Sequence, residues 1–113
     1  MLRYKDGYVS DITYTKGYFE ALNPLKAKLV FLQQDQTFPE IKNACELGFG
    51  QGVSVNFHAA GSQINWYGTD FIEEHAINAQ ALAAASGANP KLLDESIEAF
   101  CERADLPDFD FIG

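Results

Sequence analysis

Apolar and polar positions divide the chain into alternating elements. Behind Asn23-Pro24, Leu25, Leu29 and Leu32 recur at helical spacing. Asn23 is a good N-cap, and Pro24 fits the first helical position, where its missing N–H costs nothing. The pattern predicts a helix ending near Gln34 to Gln36, with Pro39 breaking the connector. Residues 41–47, IKNACEL, read as a short buried strand. Val53, Phe57 and Ala60 then return at spacings of four and three, which predicts a helix from Gln51 to about Ala60, stopped by Gly61. INWYGTDF, residues 64–71, is apolar almost throughout, as a parallel strand covered on both faces is. IEEHAINAQALAAASG reads as a helix with Glu73 and Glu74 at its positive end and Gly87 as its stop. A third strand is predicted at about Ser96 to Cys101, and FDFIG begins a fourth.

This alternation predicts an α/β fold with a parallel sheet. Right-handed crossovers give the strand order 3-2-1-4, with a ligand site at the carboxyl ends of the strands. Residues 1–22 read as an extended arm with a short helix at about Lys16 to Leu22. The division is then an arm and helix over 1–38 and a partial Rossmann-like domain over 39–113.

A chain of 113 residues is one domain, and its formal net charge is −8. That charge repels nucleic-acid phosphates and anionic membrane surfaces, so neither is expected as a partner. Cys45 and Cys101, both read as lying in or beside buried strands, have no metal-ligand spacing, and no metal site is expected. Two thiols without a disulfide pattern, and an N-terminus MLRYKDGY without an apolar segment, point to a cytoplasmic protein.

The chemistry concentrates at ELGFGQG, residues 46–52. Glycines between a strand and a helix let a ligand approach unpaired N–H groups at a positive helix end. Asp70 ends the next strand, about 20 residues on, where a carboxylate can accept hydrogen bonds from both hydroxyls of a ribose. An adenosine-containing ligand follows: a dinucleotide or S-adenosylmethionine. Glu46 opposes a pyrophosphate and favours a ligand bearing an ammonium and a sulfonium. The dinucleotide fingerprint also needs its last glycine one place later than Gly52.

ELGFGQG resembles the first motif, E/D-x-G-x-G-x-G, of the class I S-adenosylmethionine-dependent methyltransferases, and WYGTDF resembles their second. CERADLPDFDFIG resembles their stretch of third strand, acidic residue, LP and fourth strand. The arm SDITYTKGYFEALNP resembles bacterial members that carry a regulatory region after the catalytic domain. The resemblance covers residues 40–113 and implies a fold truncated in strand four, without the later strands that carry acceptor contacts. It implies S-adenosylmethionine as cofactor, held by Glu46 at the ammonium, by the loop Gly48, Phe49, Gly50 and Gly52, and by Asp70 at the ribose. Phe71, Glu102 and the backbone at Arg103 would frame the adenine. No catalytic base and no acceptor emerge.

Other residues read as structural. His58 and His75 fit surface or helix-packing positions, Glu73 and Glu74 a solvated helix start, and Trp66, Tyr67 and Cys45 sheet core. Tyr14 and Tyr18 are candidates to close over the cofactor from the arm. The chain lacks a Walker lysine, a Ser-His-Asp set and a basic aromatic patch. The competing expectations are a non-catalytic fragment that self-associates through an open sheet edge and, less favoured, a NAD-binding oxidoreductase.

Overall fold

The computed structural model describes residues 15–113 and the backbone of residues 4–5 and 8–9. Those two short pieces, β1 (Tyr4–Lys5) and β2 (Tyr8–Val9), pair antiparallel. Tyr14 and most of the predicted arm lie outside the described residues.

A four-stranded parallel sheet follows: β3 (Asn43–Leu47), β4 (Asn65–Asp70), β5 (Lys91–Asp94) and β6 (Phe111–Ile112). The spatial order is β5-β4-β3-β6, which is 3-2-1-4 counted within the sheet, as expected. Helices α1 (Pro24–Gln33), α2 (Val53–Ala60), α3 (Glu73–Ser86) and α4 (Ile97–Cys101) connect or flank the strands.

The topology sets which face each helix covers. Steps β3 to β4 and β4 to β5 run in one direction, so right-handed crossovers bring α2 and α3 to the same face. Ala44, Trp66 and Leu92 form the floor of that face, against Val55 and Ala59 of α2 and Ala76, Ala79 and Ala83 of α3. The chain then returns past β3 to reach β6, and this connection covers the opposite face. There Tyr67 meets Phe109 at 5.4 Å between ring centroids, and Phe109 stacks on Phe100 of α4. The strand order reverses between β3 and β6.

Several elements depart from expectation. The predicted third strand is helix α4, and the strand lies earlier, at Lys91–Asp94. The cause is Ser96, whose hydroxyl accepts a hydrogen bond from the Ala99 N–H at 3.1 Å and caps a helix. Cys101 is therefore an exposed helical residue, whereas Cys45 is buried in β3 as expected. The predicted helix over 16–22 shortens to a 3₁₀ turn at Glu20–Leu22. In α2 the buried residues are Ser54, Val55, Asn56, His58 and Ala59, while Phe57 points to solvent. The inner face of α2 carries Val55 and Ala59 with polar Ser54, Asn56 and His58 buried beside them, so the period of Val53, Phe57 and Ala60 does not mark it. Helix α1 is capped as predicted, with the Asn23 side chain accepting from the Leu25 N–H at 3.1 Å. Its Leu25, Leu29 and Leu32 are nonetheless exposed.

Candidate functional site

The segment between β3 and α2 turns through three glycines in the left-handed region, Gly48 (φ 74°), Gly50 (φ 60°) and Gly52 (φ 79°). Side chains resist that conformation by about 1–2 kcal/mol per residue. Gly52 is required twice over, because a Cβ there would lie 2.3 Å from the Ala79 Cβ of α3. The loop thus packs α2 tightly on α3. Asn56 reinforces the contact, donating to the Gly52 carbonyl at 2.7 Å and the Ala79 carbonyl at 3.1 Å. At Gly48 a Cβ would meet nothing within 4 Å, so this glycine borders open space.

That space is a cavity of about 290 Å³ at the carboxyl ends of β3, β4 and β5. Gly48, Asp70, Phe71, Glu95, Ser96 and Ile97 are among its lining residues.

Asp70 ends β4, is buried, and organises the wall. Its Oδ2 accepts the Gly50 N–H at 2.9 Å, tying down the glycine loop. Its Oδ1 accepts the Ile72 N–H at 2.9 Å and lies 3.3 Å from His75 Nδ1. This carboxylate also supplies the cap that α3 otherwise lacks, since Ile72 offers no side-chain cap. An ionised carboxylate has about four acceptor positions, and groups among the described residues occupy three here. One remains for a ligand hydroxyl rather than the two that a ribose diol asks for.

Glu46 lies in β3 two residues before Gly48, paired in register with Gly68 of β4, so the two occupy the same face. It is 3 % exposed, and its Oε2 has no hydrogen-bond partner among the described residues. Burial raises this carboxyl to about 7. A buried carboxylate oxygen left unpaired is a costly arrangement, and one that a cationic ligand group would relieve.

Not every expected residue joins this group. Phe49 is a core side chain, packed with Val55, Ala76 and Leu92. Glu102 follows α4, is exposed, and lies outside the cavity. Arg103 reaches the cavity only through an ion pair with Glu95, and it holds Asp105 at 3.0 Å on its other side. These two placements follow from the shifted third strand: the residues delivered at the end of β5 are Glu95 and Ser96. Glu95, not singled out from the sequence, lines the cavity. Its Oε2 is buried and has no partner among the described residues. The signal for it was the capping sequence at Ser96, which ends the strand five residues before Cys101.

His75 was the other omission. It is 2 % exposed, a packed residue of α3 as one of the two expected readings had it, and it is bonded to Asp70. His58 does pack a helix: its ring lies 5.3 Å from Trp66 and 5.6 Å from Tyr18, and burial lowers its pKa. Tyr18 is thereby placed on α2 and not over the cavity. Phe19 follows it, donating its N–H to Ser54 Oγ at 2.6 Å. Among the described residues there is no cluster of His, Cys, Asp and Glu fit for a metal ion, and no helix long and apolar enough to cross a membrane.

No family model matches the chain. It is 36% identical, over 98% of its length, to the uncharacterized protein sll1526 of Synechocystis sp., of which it spans 23%. Three solved structures are similar to it at 18–19% identity. One, described as an O-methyltransferase from Klebsiella pneumoniae, superposes with a TM-score of 0.59 over 88% of this chain and 45% of its own. WbdD, crystallised with the kinase inhibitor LY294002, gives 0.58 over 79% and 20%. The O-methyltransferase of a trans-AT PKS multienzyme from Brevibacillus brevis, in complex with S-adenosyl-L-homocysteine, gives 0.51 over 90% and 39%. Sheet order, glycine loop and these superpositions agree: the chain carries, in part, the fold of the class I S-adenosylmethionine-dependent methyltransferases.

Proposed function

We propose that this chain is the S-adenosylmethionine-binding part of a methyltransferase. The carrying observation is Glu46, a buried carboxylate with an unpartnered oxygen immediately before three left-handed glycines. Its charge suits an ammonium and opposes a pyrophosphate, which argues against a NAD-binding oxidoreductase. In this reading Glu46 faces the methionine ammonium, the Gly48 backbone admits the ligand, and the free acceptor position of Asp70 takes one ribose hydroxyl. Phe71 packs the base, and Glu95, not Glu102, offers its unpartnered oxygen to the adenine edge. The bound cofactor would supply an electrophilic methyl group; this chain's residues bind and orient it. The free thiols Cys45 and Cys101 suit a reducing, cytoplasmic setting.

Calorimetric titration tests the reading, with S-adenosylmethionine against NAD and Asp70→Ala as the site control. Saturable binding of S-adenosylmethionine alone, weakened about tenfold or more by the substitution, is expected from loss of a charged hydrogen-bonding group. Absence of binding, or equal binding of NAD, would refute it.

A further inference from the structure

His75 is buried in α3, two residues beyond the helix start, and its ring turns back toward the end of β4. A carboxylate oxygen only accepts, so a hydrogen bond between His75 Nδ1 and Asp70 Oδ1 requires the proton on Nδ1. Asp70 Oδ1 is shared with the Ile72 N–H, and this pair of donors fixes the plane of the carboxyl group. The other oxygen is thereby aimed at the Gly50 N–H. Without the ring, only the Ile72 and Gly50 N–H groups restrain the carboxyl group about its Cβ–Cγ bond, and its orientation is held less firmly. The glycine loop would then lose a tether, because Gly50, in the left-handed region, is the loop's middle residue.

We infer that His75 is a positioning residue: its Nδ1–H orients Asp70 so that one carboxylate oxygen holds the glycine loop and keeps an acceptor position facing the cavity. The inference rests on the reading of that cavity as a cofactor site, but its structural half stands apart from any ligand.

Two substitutions separate positioning from packing. His75→Asn leaves a cavity but keeps an N–H at the branch position of Nδ1. His75→Leu fills the volume and removes the donor. Amide exchange at Gly50 reads the tether, with the Gly61 amide, bonded to the Phe57 carbonyl at 2.9 Å, as a control. Loss of a hydrogen bond to a charged group is expected to speed Gly50 exchange about tenfold in His75→Leu, with His75→Asn within about threefold of the native rate and Gly61 unchanged in both. Binding of S-adenosylhomocysteine should weaken in the same order. Protection kept by Leu and lost by Asn would show a packing role and overturn the inference. In the unsubstituted protein, nitrogen–proton correlation of the ring should show a protonated Nδ1; a bare Nδ1 would overturn it without any variant. If the native chain binds no S-adenosylhomocysteine while Gly50 exchange responds as stated, the positioning role holds and the cofactor reading falls.

Discussion

Replacing Glu46 by Gln should stabilise the fold, and by an amount that depends on pH. Burial raises the carboxyl from 4.5 to about 7. A tenfold change in proton affinity is about 1.4 kcal/mol, so ionising Glu46 inside the folded chain costs about 3 kcal/mol. The sign follows from linkage. Below about pH 4.5 the group is protonated in both states and has no effect. Between 4.5 and about 7 the unfolded chain has released its proton while the folded chain retains it, so stability falls as pH rises. Above about pH 7 the full cost is present. Glu46→Gln removes it, giving a gain under about 1 kcal/mol at pH 5 and about 3 kcal/mol at pH 8. The buried amide has its own desolvation cost, but that cost is the same at both pH values and cancels in the comparison. Urea unfolding, followed by the fluorescence of the single tryptophan, Trp66, measures it. With a slope of about 1.5 kcal/mol per molar, the midpoint should rise about 2 M at pH 8 and much less at pH 5. Equal midpoint changes at the two pH values would refute the reasoning. The same substitution should weaken S-adenosylmethionine binding, since a site that destabilises the free fold is the one a ligand relieves.

Gly52→Ala should cost about 3 kcal/mol or more, from left-handed strain and the 2.3 Å approach to Ala79; adding Ala79→Gly should recover part of it, as thermal unfolding would show. Gly48→Ala, placed in open space, should cost only the strain of about 1 kcal/mol yet obstruct the cavity, lowering affinity for S-adenosylmethionine while the melting temperature falls by a few degrees. Strand β6 pairs only with β3 among the described residues, and its Ile112 is 62% exposed. Sedimentation at tens of micromolar should therefore show association that Ile112→Lys reduces, whereas a native monomer would refute an edge-to-edge contact.

Much of this protein was legible along the chain because the signals are local. Pro24 behind Asn23, Gly87 after an alanine-rich helix, and a glycine at every second place from 48 to 52 each act through their own backbone. The sheet order followed from the alternation of elements and the handedness of crossovers. What the tertiary structure alone decided depends on which side chains share a volume. Ser54 and Asn56 are buried on α2 through bonds to the arm and to α3, partners no periodicity reveals. Glu95 replaces Glu102 at the cavity because a cap at Ser96 converts an apolar stretch into a helix and moves the strand end. His75 gains its meaning only from Asp70, five residues back in sequence yet brought within hydrogen-bond reach by the turn between β4 and α3. Burial, which sets the proton affinity of Glu46, is a property of the packed neighbours and has no signature in the residue itself.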